Sequence, residues 1–484
     1  MKLRTFFPII PLISLLFPAT TVPTYGASTV IIKKQGSTWG LYRNDSLYFV
    51  KGAGGSQHLD QITSSGGNSI RTWGVDGDLL NKVRQFGLTL TMGIWDPAKE
   101  AENAVKQYKD NDALLIWALG NEMESRTDNQ VALWKQLNTV AEKVKSLDPN
   151  HPVMTVIAEI GGTKIKDIKE NFPLLDILGI NTYGGAANLG DRLASAGWDR
   201  PYMVTEFGPL GHWEVGKTSW GVPVEQSSSA KADFYRTGYT NSVAGRNNCL
   251  GSYVFLWGNK QEKTHTWYGM FLPDDLGGNR LAAVDAMTYL WTGTWPKNRC
   301  PVIGNKGIVI DTTVNPGDRK YRFAPGSKIS CVVDASDPEG AALTVRWDLR
   351  EDHSLDPASG GASEPANPPI DKAVTASNGL TATIALPQKE GNYRVHVYVY
   401  DPDGAAATVN LPIVADKKVA PPLPVVRKMS VIYNCQYGTG SFPDNLFTVL
   451  GCSVPFREKN GTSSRKTASG LYLTGKMKQI QYDR

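Results

Sequence analysis

Two carboxylates carry the most chemical information in this sequence. The segment LLIWALGNEME, residues 114–124, is an apolar run that leads straight into Gly120, Asn121 and Glu122. The segment PYMVTEFGP, residues 201–209, is a second apolar run, and it ends in Glu206. A carboxylate that follows a buried strand is held by rigid backbone and opens into the cleft the strand ends form. Two of them facing one another can divide labour. One donates a proton to a departing oxygen, while the other attacks the anomeric carbon or activates water, which is what cleavage of a glycosidic bond requires. Glutamate suits the first task because a neighbouring negative charge and partial burial raise its pKa. Glu122 is therefore assigned as general acid/base and Glu206 as nucleophile. Either residue alone reads as a helix-start or surface carboxylate; the pair on opposed strand ends carries the assignment.

The elements that must hold this pair are read from hydrophobic periodicity. Short β-branched runs are expected at 47–51, 69–73, 88–94, 114–119, 153–157, 177–181, 202–205 and 252–256. Between several of them lie helical patterns at 76–87, 97–110, 129–148 and 227–246, with apolar residues recurring at three and four positions. Eight short strands alternating with helices over about 250 residues is the count and length of an α/β fold, the (β/α)8 TIM barrel. A doubly wound sheet is the rival, and it needs a phosphate-binding glycine turn. Gly52-Ala-Gly-Gly lacks that spacing. In the barrel reading Glu122 ends strand four and Glu206 ends strand seven, at the face where barrel chemistry sits.

These motifs resemble glycoside hydrolase family 2 and the wider superfamily of retaining β-glycosidases with glutamates on strands four and seven. Asn121-Glu122 is similar to the acid/base motif, and Thr205-Glu206-Phe207-Gly208 to the family nucleophile motif. Asn68 to Trp73, NSIRTW, resembles the second-strand motif, in which Arg71 would hydrogen-bond the nucleophile. Ile180-Asn181-Thr182-Tyr183 resembles the sixth-strand motif, whose tyrosine lies near the nucleophile. Phe49 to Gly52 resembles the first-strand motif. Trp257, ending LGSYVFLW, is similar to the eighth-strand aromatic that floors the nonreducing sugar subsite. The resemblance spans roughly residues 45–295 and implies a secreted hydrolase of O-glycosyl compounds acting on a β-linked oligosaccharide or polysaccharide, β-glucan favoured. It departs from family 2 in two respects. Only a hairpin precedes the barrel, and GAGGSQHLD replaces the histidine-bearing loop after the first strand.

Further roles follow from this assignment. Asn121 would donate to the sugar 2-hydroxyl, and Arg71 would keep Glu206 ionised. Trp73 and Trp95 lie near strand ends and are expected to line subsites, as are Trp213, Trp220 and Trp267 on later loops. Glu159, after strand five, is a candidate for binding a sugar hydroxyl, whereas Glu124 reads as a loop carboxylate. Asn259-Lys260 would meet an acidic sugar if the family's uronidase pattern applied. The same residues would serve a glucanosyltransferase, and a noncatalytic sugar-binding protein is the rival from another class.

The rest of the chain bounds this reading. It has 484 residues, 41% hydrophobic and 20% charged, which excludes wholesale disorder. The formal charge is +5, and Lys2 and Arg4 supply two of those charges. With no dense basic block in the body of the chain, nucleic acid is not an expected partner. Residues 1–27 have the layout of a secretory signal peptide, so an exported protein without a stable membrane span is expected. Residues 28–45 read as a β hairpin, 46–298 as the barrel and 299–326 as a linker. Residues 327–415 read as a small all-β immunoglobulin-like sandwich resembling PKD-type modules, and 416–484 as a linker with a small or disordered tail. Asp334, Asp337, Asp401 and Asp403 lie in turns and read as turn residues before calcium ligands. Six scattered histidines and five cysteines without a CxxC pair give no expected metal or cofactor. In an oxidising compartment Cys249–Cys300 and Cys435–Cys452 are possible disulfides, with Cys331 left over.

Overall fold

The computed structural model describes residues 26–310, 321–357 and 361–419, and within 420–484 only the short strands Val431–Ile432, Ser464–Lys466, Tyr472–Thr474 and Gln479–Ile480. Nearly all of the expected signal segment, and the Cys435 and Cys452 pair, lie outside the described residues.

The chain begins with a three-stranded antiparallel sheet of β1 (Val30–Gln35), β2 (Thr38–Arg43) and β3 (Ser46–Leu47). Eight parallel strands then close on themselves: β4 (Val50–Gly54), β5 (Ser69–Arg71), β6 (Thr89–Ile94), β7 (Leu114–Asn121), β8 (Val153–Ala158), β9 (Ile177–Asn181), β10 (Tyr202–Phe207) and β11 (Cys249–Val254). Helices α1 (Leu59–Ser64), α2 (Gly77–Arg84), α3 (Pro97–Tyr108), α4 (Gln130–Leu147), α5 (Lys164–Asn171), α6 (Leu189–Ser195), α7 (Ser228–Ser242) and α8 (Ala282–Thr292) follow the strands in turn. This is a (β/α)8 TIM barrel. Helix starts are fixed by side chains that accept otherwise unpaired backbone N–H groups. Asp76 caps α2, Asn129 caps α4 and Ser227 caps α7.

The first strand lies later than its apolar pattern predicts. Leu47 is 68% exposed on the outer sheet, and the barrel strand runs instead into Gly52 and Gly54. Only glycine fits there, because a Cβ on Gly52 would stand 2.2 Å from the Tyr253 ring and one on Gly54 2.4 Å from the Phe255 carbonyl. Val30 and Leu41 of the outer sheet join Val50, Ile116, Met154, Ile177, Met203 and Tyr253 in one apolar cluster. The N-terminal sheet thereby covers the barrel end opposite the strand C-termini.

After the barrel come two four-stranded sheets. One contains β12 (Val302–Ile310), β14 (Lys328–Ser336), β16 (Val374–Asn378) and β17 (Thr381–Ala385). The other contains β13 (Arg322–Phe323), β15 (Thr344–Glu351), β18 (Gly391–Tyr400) and β19 (Ala406–Ala415). Their side chains share one core around Trp347, Val397 and Ile384. Alternate residues of β14 are buried, as a half-buried strand requires. Asp337 and Asp401 accept backbone N–H groups of their own turns. Barrel and sheets form one compact unit ending at Val419, and residues 420–484 form a second.

The structure corrects the disulfide expectation. Cys249, Cys300 and Cys331 are all free and buried. The Cys249 thiol donates to the carbonyl of Gly251, and that of Cys300 to the carbonyl of Arg280. Burial pushes the Cys249 thiol up to about 12. Among the described residues no helix is long and apolar enough to cross a membrane.

Candidate active site

The two carboxylates reach the barrel mouth through local breaks in strand register. Along β7 and β8 the pairing shifts between Ala118 and Asn121. Gly120 there adopts φ +75°, and a Cβ on it would meet Met123 Sδ at 2.3 Å. Glu122 itself has φ +50°, a left-handed conformation that costs a non-glycine residue about 1–3 kcal/mol. Its backbone N–H donates to Val156 O at 2.9 Å, so the turn is anchored to the neighbouring strand. Along β10 the pairing with β9 shifts between Val204 and Glu206, and this break lets both Thr205 and Glu206 reach polar partners.

Glu206 is 5% exposed and surrounded by donors. Its Oε1 accepts from Arg71 Nη1 at 3.0 Å and from the Trp73 indole N–H at 2.7 Å. Its Oε2 accepts from the Tyr183 hydroxyl at 3.0 Å. Arg71 is buried and continues the network by donating through Nη2 to Asn121 Oδ1 at 2.7 Å. Asn181 Nδ2 donates to that same oxygen at 3.2 Å and to Glu122 Oε1 at 2.7 Å. Thr205 Oγ1 donates to Asn181 Oδ1 at 2.9 Å. One connected path thus runs from Glu206 through Arg71, Asn121 and Asn181 to Glu122. The Asn121 carbonyl is consumed inside the protein, which directs its amide N–H groups to the open side.

The surroundings of the two acids differ. Burial first, and the nearby negative charge of Glu206 second, raise the Glu122 carboxyl above the ordinary glutamate value of 4.5. Glu206 is paired with the Arg71 guanidinium at 3.0 Å, a charge-assisted hydrogen bond. Burial and the adjacent carboxylate also push the Tyr183 hydroxyl well above 10, so it remains a donor.

Other predicted residues fall differently. Trp73 holds Glu206 through its N–H, a role its position at a strand end did not reveal. Glu159 is engaged elsewhere: it accepts from Arg192 at 2.9 Å, from Thr182 Oγ1 at 2.6 Å and from the Ile160 N–H. It fastens the loop after β8, and both of its oxygens are occupied. Trp257 requires a correction. It has no exposed surface, packs between Trp291 and Phe271, and donates its N–H to His58 O. In this conformation it is a core residue and offers no face to a sugar. Glu124, read as a loop carboxylate, is 2% exposed and accepts from Ala158 N–H and Lys164 Nζ, tying the end of strand four to strand five.

Sequence reasoning named Trp73, Tyr183 and Trp267 separately but missed Phe255 and Tyr268, which join them in a wall beside Glu206. Phe255, Trp267 and Tyr268 cluster with Trp73 and Tyr183. Phe255 meets Trp73 and Tyr183 edge-on at 6.0 and 5.7 Å. Lys260 Nζ stands 4.7 Å over the Phe255 ring, 2.7 Å from Glu262 Oε2 and 2.6 Å from Gly361 O. The Asn259 side chain turns to Leu272 O. The aromatic content of these loops was the available signal, but the Lys260–Glu262 pairing depends on a bend that periodicity does not report. Among the described residues no group of three or more His, Cys, Asp or Glu could hold a metal ion.

No protein-family model matches the sequence, and no curated protein does. Solved structures give distant likenesses. A Bacteroides uniformis β-glucuronidase is 12% identical, with 83% of this chain and 50% of that chain covered and a TM-score of 0.43. A Dictyoglomus thermophilum β-D-glucuronidase is 14% identical over 55% of this chain and 54% of its own, with a TM-score of 0.44. A family GH2 β-galacturonidase from Eisenbergiella tayi, bound to galacturonate, is 15% identical over 55% of each chain, with a TM-score of 0.43. The chain spans about half the length of these proteins. The closed barrel rests on its own strand pairing, independently of these likenesses.

Proposed function

We propose that this chain is an exported retaining β-glycoside hydrolase of the family 2 type that cleaves a neutral β-linked glucan by double displacement. The observation that carries the reading is the single hydrogen-bond path joining two carboxyl groups, one paired with a guanidinium and the other raised by burial and its neighbour's charge. Glu122, whose carboxyl is raised by burial and by Glu206, gives its proton to the leaving oxygen as the C1–O bond breaks. Glu206, paired with Arg71, attacks C1 as its carboxylate and forms a glycosyl–enzyme ester. Glu122, now ionised, takes a proton from water, which attacks C1 from the opposite face and releases Glu206. Retention needs carboxyl groups about 5–5.5 Å apart. The Asn121 amide donates to the sugar 2-hydroxyl, a bond that strengthens as positive charge develops at C1. Attack by a sugar hydroxyl in place of water would make the same site a transglycosylase.

A neutral sugar is favoured by the charges beside the site. Lys260 is already neutralised by Glu262, and Arg71 by Glu206. A uronate carboxylate would therefore meet Glu262 and the catalytic pair without a free cation among these groups. We further infer that the two β-sheets after the barrel are an immunoglobulin-like accessory module and that the N-terminal segment directs export.

The test is a screen of the purified protein against β-glucans, mannans, galactans and paired aryl β-glucosides and β-glucuronides, with Glu206→Gln as control. Hydrolysis of a glucan and the aryl glucoside, lost in Glu206→Gln, is expected. Preference for the glucuronide would overturn the substrate assignment. Unchanged hydrolysis in Glu206→Gln would overturn the mechanism.

A further inference from the structure

Of the thirteen tryptophans in the chain, eleven are buried or half-buried. The two exposed ones, Trp95 and Trp213, have 46% and 57% of their surface open. Both lie at the barrel mouth. Trp95 directly follows β6, and Trp213 sits on the loop after β10. In the closed order of eight strands β6 and β10 are four places apart, so these residues stand on opposite edges of the mouth.

Each indole is braced on one side; Trp95 is tied through Arg126 to the strand end that carries Glu122, and Trp213 through Tyr183 to Glu206. The Arg126 guanidinium lies 4.4 Å from the Trp95 ring, and its Nη2 donates to Asn121 O at 2.6 Å, next to Glu122. Trp213 lies against the backbone of Gly211, where a Cβ would be 2.5 Å from the indole. It makes T-shaped contacts with His212 at 4.8 Å and Tyr183 at 5.6 Å, and the Tyr183 hydroxyl is bonded to Glu206. Rings held this way lose little freedom on binding. An aromatic face accepts the C–H-rich face of a β-glucosyl unit, whose hydroxyls all point outward around the ring edge.

We propose that Trp95 and Trp213 are sugar-stacking platforms at the two ends of one cleft, so that the substrate is a β-glucan chain lying across both carboxylates. The proposal rests on the assignment of Glu122 and Glu206 as the catalytic pair. Because Glu122 protonates the departing oxygen, Trp95 stacks a unit on the leaving side of the scissile bond. Trp213 stacks a unit on the side that becomes bound to Glu206. The enzyme then cuts within chains in preference to removing single terminal sugars.

The experiment uses the full chain with Trp95→Ala, Trp213→Ala and the double variant. The probes are β-1,3- and β-1,4-linked gluco-oligosaccharides from disaccharide to hexasaccharide, and 2-deoxy-2-fluoro-β-glucosyl fluoride, which occupies only the central position. Wild-type kcat/KM should rise with chain length. Each single variant should lose roughly tenfold on the hexasaccharide, as loss of one aromatic anchor does, a larger loss than in the rate of covalent labelling by the fluoride. Labelling also reports that the variants are folded. Unchanged hexasaccharide cleavage in the variants, or wild-type rates that do not depend on length, would overturn the proposal. Labelling of Glu206 without cleavage of any oligosaccharide would overturn the extended cleft and leave the catalytic pair standing. No labelling of the wild type would overturn the pair, and the platforms with it.

Discussion

Glu206 and Glu225 are almost equally buried, at 5% and 4% exposure, and both face a cation, yet their surroundings differ in completeness. Glu225 Oε1 accepts from Lys231 Nζ at 2.5 Å and Thr266 Oγ1 at 2.9 Å. Its Oε2 accepts from Thr264 Oγ1 at 2.6 Å and from Asn410 Nδ2 of the β-sheets at 2.5 Å. Both oxygens are filled, and the group joins the loops after β10 and β11 to β19. Glu206 has two donors on Oε1 and only the Tyr183 hydroxyl on Oε2. A carboxylate with every lone pair directed at a donor is a fastener. One with an oxygen held in place but incompletely bonded can attack carbon. Burial and an ion pair alone do not distinguish the two.

The comparison breaks most visibly on paired substitution. Glu206→Gln should reduce turnover of an aryl β-glucoside about ten-thousand-fold, with a melting temperature near that of the parent. Glu225→Gln leaves Lys231 buried without its counter-charge, and should cost about 3–5 kcal/mol of stability while turnover per folded molecule is kept. Denaturant melts beside initial rates check both. Equal losses of activity in the two variants would erase the distinction.

Which parts of this contrast are legible in the chain is a matter of distance in sequence. The eight strands, four of the helices and the pair Glu122 and Glu206 announce themselves through local apolar runs ending in a carboxylate. Helices α1 and α6 are too short to establish a period, α5 buries only Ile165 and Ile168, α8 is apolar over most of its length, and β4 is displaced because its glycines carry no hydrophobic signal. Trp73, three residues from its strand centre, gives no sign that its N–H will meet a residue 133 positions away. Trp257 reads the same whether it floors a sugar site or fills a core, because its neighbours Phe271 and Trp291 come from later segments. The fastening of Lys260 by Gly361 spans 101 positions and follows only from the packing of the sheets against the barrel.

A smaller effect sharpens the electrostatic half of the account. Because burial and then Glu206 raise the Glu122 carboxyl above 4.5, the folded state binds a proton more tightly there than the unfolded chain. Stability from this group is complete below the ordinary glutamate range and is lost as pH rises through the raised value. Glu122→Gln should therefore melt progressively higher than the parent as pH increases, with the gap closing in acid. A gap that widened in acid would reverse the assigned direction.

The smallest expected effect concerns the junction of barrel and sheets. His265 lies 4.7 Å from His396 with the rings tilted by 37°, and it shares a 2.7 Å hydrogen bond with the Tyr398 hydroxyl. Burial depresses His265 to about 3, and burial with the adjacent His265 holds His396 well below its ordinary range. Their contribution is complete above pH 6.5 and declines as acid protonates the unfolded chain first. His396→Phe should flatten the fall of melting temperature between neutral and acid pH without changing turnover at neutral pH. An unchanged slope would remove the pair from the acid response.

The central claim is that Glu206 attacks the anomeric carbon, and covalent trapping tests it most directly. After inactivation with 2-deoxy-2-fluoro-β-glucosyl fluoride, peptide mapping by mass spectrometry should find the sugar on the peptide containing Thr205, Glu206 and Phe207, and nowhere in Glu206→Gln. Label on the peptide carrying Glu122, or an α-anomer as the first product released from a β-glucoside, would contradict the account.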